Sequence, residues 1–372
     1  MIKIGITGQN GFVGQHLYNT LGLFPTEFER IDFAKEMFND TAALDQFTAN
    51  CDVVVHLAAM NRDPHEHLIY ETNIRLTNNL IESLTRTGSQ AHVLVSSSTQ
   101  EERDNLYGKS KREAREALVT WAESTGGKLS GLIIPNVFGA FGKPFYNSFI
   151  ATFCYQLTHG EQPSIATDGE VKLIYVQELV QVIIDVVRKN EHRPYLLVEP
   201  TASKNVSTVL ASLQVFKTAY LDTGEVPVLS DSFELNLFNT YRSYMEHKDI
   251  YPRKFQVHTD DRGAFVEIIR MGIGGQSSYS TTVPGITRGN HYHTRKIERF
   301  AVIRGKALIQ LRKIGTNEVL DFYLEGNEPS YVDMPIWYTH NIKNIGDDEL
   351  ITMFWINEPY NAADPDTYFV EV

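Results

Sequence analysis

The opening residues constrain the fold more tightly than any other part of the chain. An apolar run, Ile2–Thr7, leads directly into Gly8-Gln9-Asn10-Gly11-Phe12-Val13-Gly14, three glycines spaced GxxGxxG, and a helical pattern follows to Leu21. Glycines at a strand–turn–helix junction let the backbone turn tightly and approach a pyrophosphate whose charge sits on the helix N-terminus. A glycine triplet alone carries little. Its place between strand and helix is what points to dinucleotide binding by Gly8, Asn10, Gly11, Phe12, Val13 and Gly14.

The alternation continues for about half the chain. Apolar runs at 27–32, 52–57, 91–96 and 128–135 alternate with helical patterns at 42–48, 66–86 and 107–124. Continuous apolar strands between helices predict an α/β fold with a doubly wound parallel sheet covered on both faces. From 176 to 244 the pattern is mainly helical, with one strand-like run at 195–198, and suits a substrate-covering lobe. After about His247 come short strands broken by Gly, Pro and Asn, at 264–271, 299–304, 307–313, 331–334 and 349–356, which read as an all-β sandwich or small barrel. The boundary falls at residues 248–254, around Pro252, giving domains 1–247 and 254–372. With no Gly/Ser tract between them, the two are expected to pack together.

Composition removes several function classes. The net charge of −12 argues against a nucleic-acid partner, although a local pocket can still oppose the global sign. No run approaches the roughly 20 apolar residues of a membrane span, and a strand beginning at once in MIKIGITG leaves no room for a signal peptide. Cys51 and Cys154 cannot build a disulfide framework, and a cytoplasmic location is expected.

Asp32 closes the second strand, where an acid can bind an adenosine ribose, but Arg30 and Lys35 beside it could instead meet a 2′-phosphate. The third strand runs into His56-Leu57-Ala58-Ala59, small residues where a nicotinamide ring could approach at Leu57, with His56 read as a packed strand residue. The fourth ends in Ser96-Ser97-Ser98-Thr99. Tyr107-Gly108-Lys109-Ser110-Lys111 then opens a helix that sets Tyr107 and Lys111 on one face.

In this order GQNGFVG, HLAA, VSSST and YGKSK resemble the extended short-chain dehydrogenases that act on nucleotide sugars, and Asn73 and Pro135-Asn136-Val137-Phe138-Gly139 match further motifs. The resemblance covers about residues 1–245. It implies that Tyr107 protonates an alkoxide as hydride reaches a ketone. It further implies that Lys111 depresses the tyrosine pKa and holds the nicotinamide ribose, that Ser98 bonds the carbonyl oxygen, and that Asn136 faces the substrate. The nine-residue step from Ser98 to Tyr107 is shorter than that family shows, which leaves Ser97 and Thr99 open as alternatives.

The C-terminal part contains Gly285-x5-His291-Tyr292-His293-x4-Glu298-x6-Gly305, and later Pro335, His340 and Asn344. Strand alternation puts His291 and His293 on one face, and three imidazoles with a carboxylate suit a divalent first-row metal. The spacings resemble the two cupin motifs, with Trp337 in place of a glycine and a barrel mouth expected to be narrowed by it. Zinc is the first choice of ion, with iron, nickel or manganese open. Asp261-Arg262-Gly263-x-Phe265-x-Glu267 and Arg288-Gly289-Asn290-His291 resemble motifs of sugar epimerases that act beside a 4-keto group. A His291 that ligates metal cannot serve unchanged as their base. Tyr360 is read as a packed aromatic, with proton donation the sharper alternative.

Across the whole chain the combination resembles the capsular polysaccharide enzymes of the CapF type, a Rossmann-type reductase fused to a cupin barrel. That resemblance implies a UDP-2-acetamido-2,6-dideoxy-4-hexulose substrate, C3 epimerisation by the cupin, and NADPH-dependent C4 reduction to UDP-2-acetamido-2,6-dideoxy-L-talose, with NADH as the other donor. The rival readings are a reductase with a structural or dimerising cupin and a UDP-sugar 4-epimerase with tightly bound NAD. A homodimer is expected.

Overall fold

The computed structural model describes residues 1–372 apart from Arg262, Glu267, residues 270–273 and Pro359, and at 258–260 and 263–266 it describes the backbone alone. In chain order the elements are β1 (Ile2–Thr7), α1 (Phe12–Leu21), β2 (Phe28–Ile31), α2 (Thr41–Ala49), β3 (Val53–His56), α3 (Glu66–Thr87), β4 (His92–Ser98), α4 (Leu106–Thr125), β5 (Leu129–Ile134) and β6 (Asn136–Phe138). There follow α5 (Phe149–Thr158), β7 (Glu170–Tyr175), α6 (Val176–Lys189), β8 (Arg193–Leu197), β9 (Ala202–Asn205), α7 (Val206–Phe216), α8 (Ser232–Arg242) and α9 (His247–Ile250). The remainder is strands: β10 (Arg253–Lys254), β11 (Val257–Asp260), β12 (Gly263–Val266), β13 (Gln276–Thr282), β14 (Thr287–Tyr292), β15 (Glu298–Arg304), β16 (Lys306–Lys313), β17 (Val319–Glu325), β18 (Ser330–Met334), β19 (Tyr338–Asn344), β20 (Leu350–Ile356) and β21 (Tyr368–Phe369). Two compact units result, Met1–Thr152 with Thr167–Val206, and Phe153–Ala166 with Ser207–Val372.

In the first unit β2-β1-β3-β4-β5-β8 form one sheet in that order, and every neighbouring pair is parallel. Side chains of β3 alternate between two cores. Val53 and Val55 join Ile4, Ile6, Leu17 and Ile183 on one face, and Val54 joins Val93, Leu80, Leu118 and Trp121 on the other. Both faces are covered, which is why these strands read as unbroken apolar runs. From β1 the chain crosses to β2 on one side and returns to β3 on the other, so the carboxyl ends of β1 and β3 form the switch point where such sheets bind ligands. A small sheet, β6-β7-β9, follows. Its strands of three to six residues carry Asn, Lys and Glu and show no apolar period for a sequence reading to find.

The second unit contains two five-stranded antiparallel sheets, β10-β18-β15-β20-β13 and β17-β16-β19-β14-β21. Ala301, Val302 and Val332 from one and Ile309, Leu311 and Ile342 from the other share a single core, the all-β barrel expected. The helical residues after Val206 group with this unit. A buried polar cluster explains why. Asp333 on β18 accepts two hydrogen bonds from Arg299 on β15 (2.7 and 2.9 Å) and one from the Tyr220 hydroxyl. Arg242, at the end of α8, donates to Tyr220 Oη (3.2 Å) and to the Met334 carbonyl (3.0 Å). Such charges tolerate burial only while every partner is present. Asp333→Ala is therefore expected to destabilise this unit by about 3–5 kcal/mol, seen as an earlier denaturant transition, because the buried Arg299 guanidinium loses its acceptor and Arg242 the opposite charge near it.

Candidate active site and candidate metal centre

A cavity of about 870 Å³ opens at the carboxyl ends of the parallel strands. The glycine turn forms one wall. At Gly14 a β-carbon would lie 2.2 Å from the Gly8 carbonyl oxygen, so only glycine lets α1 start so close to β1. Gly11 caps α1 with no side-chain hydrogen bond, and the first turn contains no acid. The N–H groups of that turn are thus left for an anionic ligand. Gly8, Asn10, Gly11, Phe12, Val13, Gly14 and Leu57 all line the cavity, as do Ser98, Tyr107, Lys111 and Asn136. This wall fits a dinucleotide.

Asp32 does not line it. It is exposed just beyond β2 and accepts a hydrogen bond from Tyr18 Oη at 2.8 Å, while Arg30 stacks on the Tyr18 ring at 4.3 Å. His56 is buried in the core, bonded to Thr7 Oγ1 at 2.7 Å, and burial together with the Lys111 charge takes its pKa down to about 3, as fits a packed neutral ring.

The three serines ending β4 separate cleanly. Ser96 donates to the His56 carbonyl at 3.2 Å, and Ser97 is buried and donates to Glu101, whose carboxylate also takes a bidentate pair from Arg115 (2.9 and 2.9 Å). Ser98 is left facing Tyr107. The connection to α4 is short because it is one 3-10 turn, Thr99–Glu102, begun by the Ser98 hydroxyl and followed by Asn105, which caps α4 by accepting from the Gly108 N–H at 2.7 Å. A β-carbon on Gly108 would meet the Gln100 carbonyl oxygen at 2.0 Å, so this glycine of YGKSK lets the turn lie on the helix. Asn73 on α3 holds the other side, bonding the Met60 backbone (2.7 and 3.1 Å) and Ser110 Oγ (3.0 Å).

Burial pushes the Tyr107 hydroxyl up to about 12 against the lowering effect of Ser98. The expected depression by Lys111 is not seen. Lys111 is itself buried, which takes it down to about 8 against the pull of Glu101, and its Nζ is directed to Ser96 Oγ at 3.4 Å. Tyr146, Arg62 and Lys143 also line the cavity and had no signal in the sequence, since they lie on loops without periodicity. The Tyr146 hydroxyl accepts the Asn61 N–H at 3.2 Å, and Arg62 donates to the Tyr146 carbonyl at 2.8 Å.

In the second unit His291, His293, Glu298 and His340 converge, with one ligand atom of each within 4.8 Å of the others. His291 on β14 lies directly opposite His340 on β19, His293 follows β14, and Glu298 begins β15. Nδ1 of His293 faces the Asp366 carbonyl at 2.5 Å, and Nδ1 of His340 faces the Tyr338 carbonyl at 3.1 Å. Carbonyls only accept, so each ring carries a hydrogen on Nδ1, and its Nε2 faces Glu298 Oε2 (3.1 and 3.2 Å) with a lone pair whenever the ring is neutral. Two lone pairs and a carboxylate repel unless positive charge lies among them. The donor set and its oriented tautomers thus fit a divalent cation.

Trp337 does not narrow a mouth. It is buried with φ +61°, its ring stacks on Tyr292 at 5.5 Å, and its backbone N–H donates to the His293 carbonyl at 2.8 Å. The left-handed backbone explains why the cupin pattern has glycine there. Tyr360 is not packed either, being 66% exposed. Arg288 bonds Thr282 Oγ1 at 3.0 Å, and Arg262 and Glu267 of the other epimerase-like motif lie outside the described residues. Among the described residues no helix is long and apolar enough to cross a membrane.

The NAD dependent epimerase/dehydratase family matches residues 4–197, and the polysaccharide biosynthesis C-terminal domain matches 258–368. The UDP-2-acetamido-2,6-beta-L-arabino-hexul-4-ose reductase of Pseudomonas aeruginosa is 33% identical over 379 residues, covering 100% of this chain and 99% of that one. The crystal structure of the capsular polysaccharide assembling protein CapF from Staphylococcus aureus aligns with a TM-score of 0.62 at 34% identity, over 99% of this chain and 100% of that one. A crystal structure of CapF with the inhibitor 3-isopropenyl-tropolone aligns at 0.58 and 31%, over 100% of both chains.

Gly108→Ala is expected to displace the 3-10 turn at a cost of about 1–3 kcal/mol. Hydrogen exchange at residues 99–105 should accelerate. Unchanged exchange there would show that the turn does not depend on the close approach.

Proposed function

Since the chain belongs to the NAD dependent epimerase/dehydratase family, we propose that it is a bifunctional nucleotide-sugar enzyme, the first unit reducing a C4 ketone and the cupin inverting C3. The observation that supports this most directly is the single cavity lined by the glycine turn, Ser98, Tyr107 and Lys111. The proposed substrate is a UDP-2-acetamido-2,6-dideoxy-4-hexulose and the product UDP-2-acetamido-2,6-dideoxy-L-talose, in keeping with the hexul-4-ose reductase of Pseudomonas aeruginosa that the chain resembles.

NADPH, when bound, supplies the hydride. Tyr107 keeps its proton at neutral pH because burial raises it to about 12, and it gives that proton to the carbonyl oxygen as negative charge develops there. Ser98 orients the same oxygen, Lys111 holds the nicotinamide ribose, and Asn136 faces the sugar. In the cupin His291, His293, Glu298 and His340 hold a divalent cation, zinc by first choice, which adds positive charge to the site. The C3 proton is acidic only while C4 is a ketone, so inversion precedes reduction. A second reading makes the metal centre structural, and the burial of His293, Glu298 and His340 favours it.

Proton NMR in deuterium oxide, with the 4-keto-6-deoxy UDP-sugar and no NADPH, separates the two. Deuterium at C3, lost in His291→Ala, supports epimerisation. Absence of exchange while added NADPH is still oxidised leaves a reductase with a structural cupin.

Lys111 gives a pH dependence. Its pKa is depressed from 10.5 to about 8, so it is charged below pH 8 and neutral above. An unfolded lysine keeps its proton to about 10.4. The buried ammonium therefore weakens folding fully below pH 8, and that penalty disappears between pH 8 and about 10. Cofactor affinity is expected to run the other way, falling as pH passes 8. In Lys111→Met it should be weak and flat across this window, and a parent-like fall in that variant would assign the titration to another group.

A further inference from the structure

The ligand-bearing connection between β14 and β15 is held by residues about 70 positions further on. Between β14 and β15, which belong to different sheets, lie residues 293–297, and the backbone N–H groups of Thr294, Arg295 and Lys296 bond outside this segment. They converge on one carboxylate. Asp366 accepts from the N–H of Thr294 (3.1 and 3.3 Å), Arg295 (3.0 Å) and Lys296 (3.1 Å), and from the Thr294 hydroxyl (2.6 Å). Its own carbonyl takes the His293 Nδ1 hydrogen. Asp366 is 1% exposed and sits at φ +41°, a conformation an aspartate adopts more readily than most residues. Neighbouring contacts continue the attachment. Buried Lys296 donates to the Pro365 carbonyl at 2.8 Å, Asn357 Oδ1 accepts the Ile297 N–H at 2.9 Å, and β21 pairs with β14 so that Phe369 lies opposite His291.

We infer that Asp366 is a positioning residue of the metal centre and that the C-terminal tail is part of that centre. The inference rests on the metal-binding reading of the cupin. The carboxylate gathers three backbone donors, one of them on the buried Lys296, and thereby sets the spacing between His293 and Glu298. The carbonyl of the same residue selects the His293 tautomer whose Nε2 is available as a ligand. One residue thus fixes both the position and the protonation of the site, with no atom in the ligand set.

The test uses the full chain, cleared of metal and titrated with Co²⁺ and with Zn²⁺ against a chromogenic chelator. The parent is expected to bind one ion, and Asp366→Ala to bind it about 10–100-fold more weakly. The Co²⁺-saturated variant should also show a shifted or weaker visible band, because the His293 ring is no longer fixed. Thr294→Val removes one contact to Asp366 and should weaken binding a few-fold, while Thr294→Ser should restore it. Parent-like affinity in folded Asp366→Ala overturns the inference, as does weaker binding with an unchanged Co²⁺ band, which marks a purely structural residue. Where Asp366→Ala does not fold, the Thr294 pair decides: equal affinity in both overturns the inference. A parent chain that binds neither ion overturns the metal reading itself, and this inference with it.

Discussion

The end of β1 and the start of α1 approach so closely that no side chain fits between them, and most of the first unit's chemistry follows from this contact. The Gly14 position lies against the Gly8 carbonyl, and a β-carbon on Gly8 would come within 2.9 Å of the Ala58 nitrogen beyond β3. Gln9, inside the turn, accepts the Phe33 N–H at 3.0 Å and ties in the end of β2. Three strand ends are drawn to one point, and α1 presents its open N-terminus there. Tyr107 and Lys111 arrive from α4, across the sheet, only because Gly108 lets the preceding turn lie flat on that helix.

Buried charge is handled in two different ways in this chain. Glu101 with Arg115, and Asp333 with Arg299, are closed pairs, in which each acid meets a guanidinium in bidentate geometry. Such pairs hold elements in register and resist the loss of either member. Glu298 meets only imidazoles, and carbonyls fix the tautomers of two of them. The first arrangement is complete as it stands. The second concentrates electron density at one point, as a cation site requires.

Legibility in the sequence followed periodicity. The strands of the parallel sheet and helices α1 to α4 appear within a residue or two of their expected bounds, because doubly buried strands are unbroken apolar runs and Asp40 and Asn105 cap α2 and α4. The short polar strands β6 and β9 carry no such pattern, nor does β13, whose residues are largely exposed. Residues at the sites were legible where the backbone itself demands a residue type, as at Gly8 and Gly14, or where spacing brings donors together, as at His291 and His293. Tyr146 and Arg62 were not, because loop geometry alone brings them to the cavity. Asp366 was not, since its role is to accept from distant backbone groups, and any aspartate in the sequence looks equally able to do so. Trp337 misled for a related reason: a left-handed backbone can be inferred from a glycine but hardly from a tryptophan.

The attachment of the tail also sets an order in time. During synthesis the barrel strands β14 to β20 leave the ribosome before Asp366 does, and before Val370, whose N–H donates to the Asn290 carbonyl at 2.9 Å. The connection that bears His293 between His291 and Glu298 therefore gains its anchor only after β14, β15 and their partner strands have been made. A chain that stops short of Asp366 carries all four donors without the carboxylate that gathers Thr294, Arg295 and Lys296, so the tail is the last part to join the donor set.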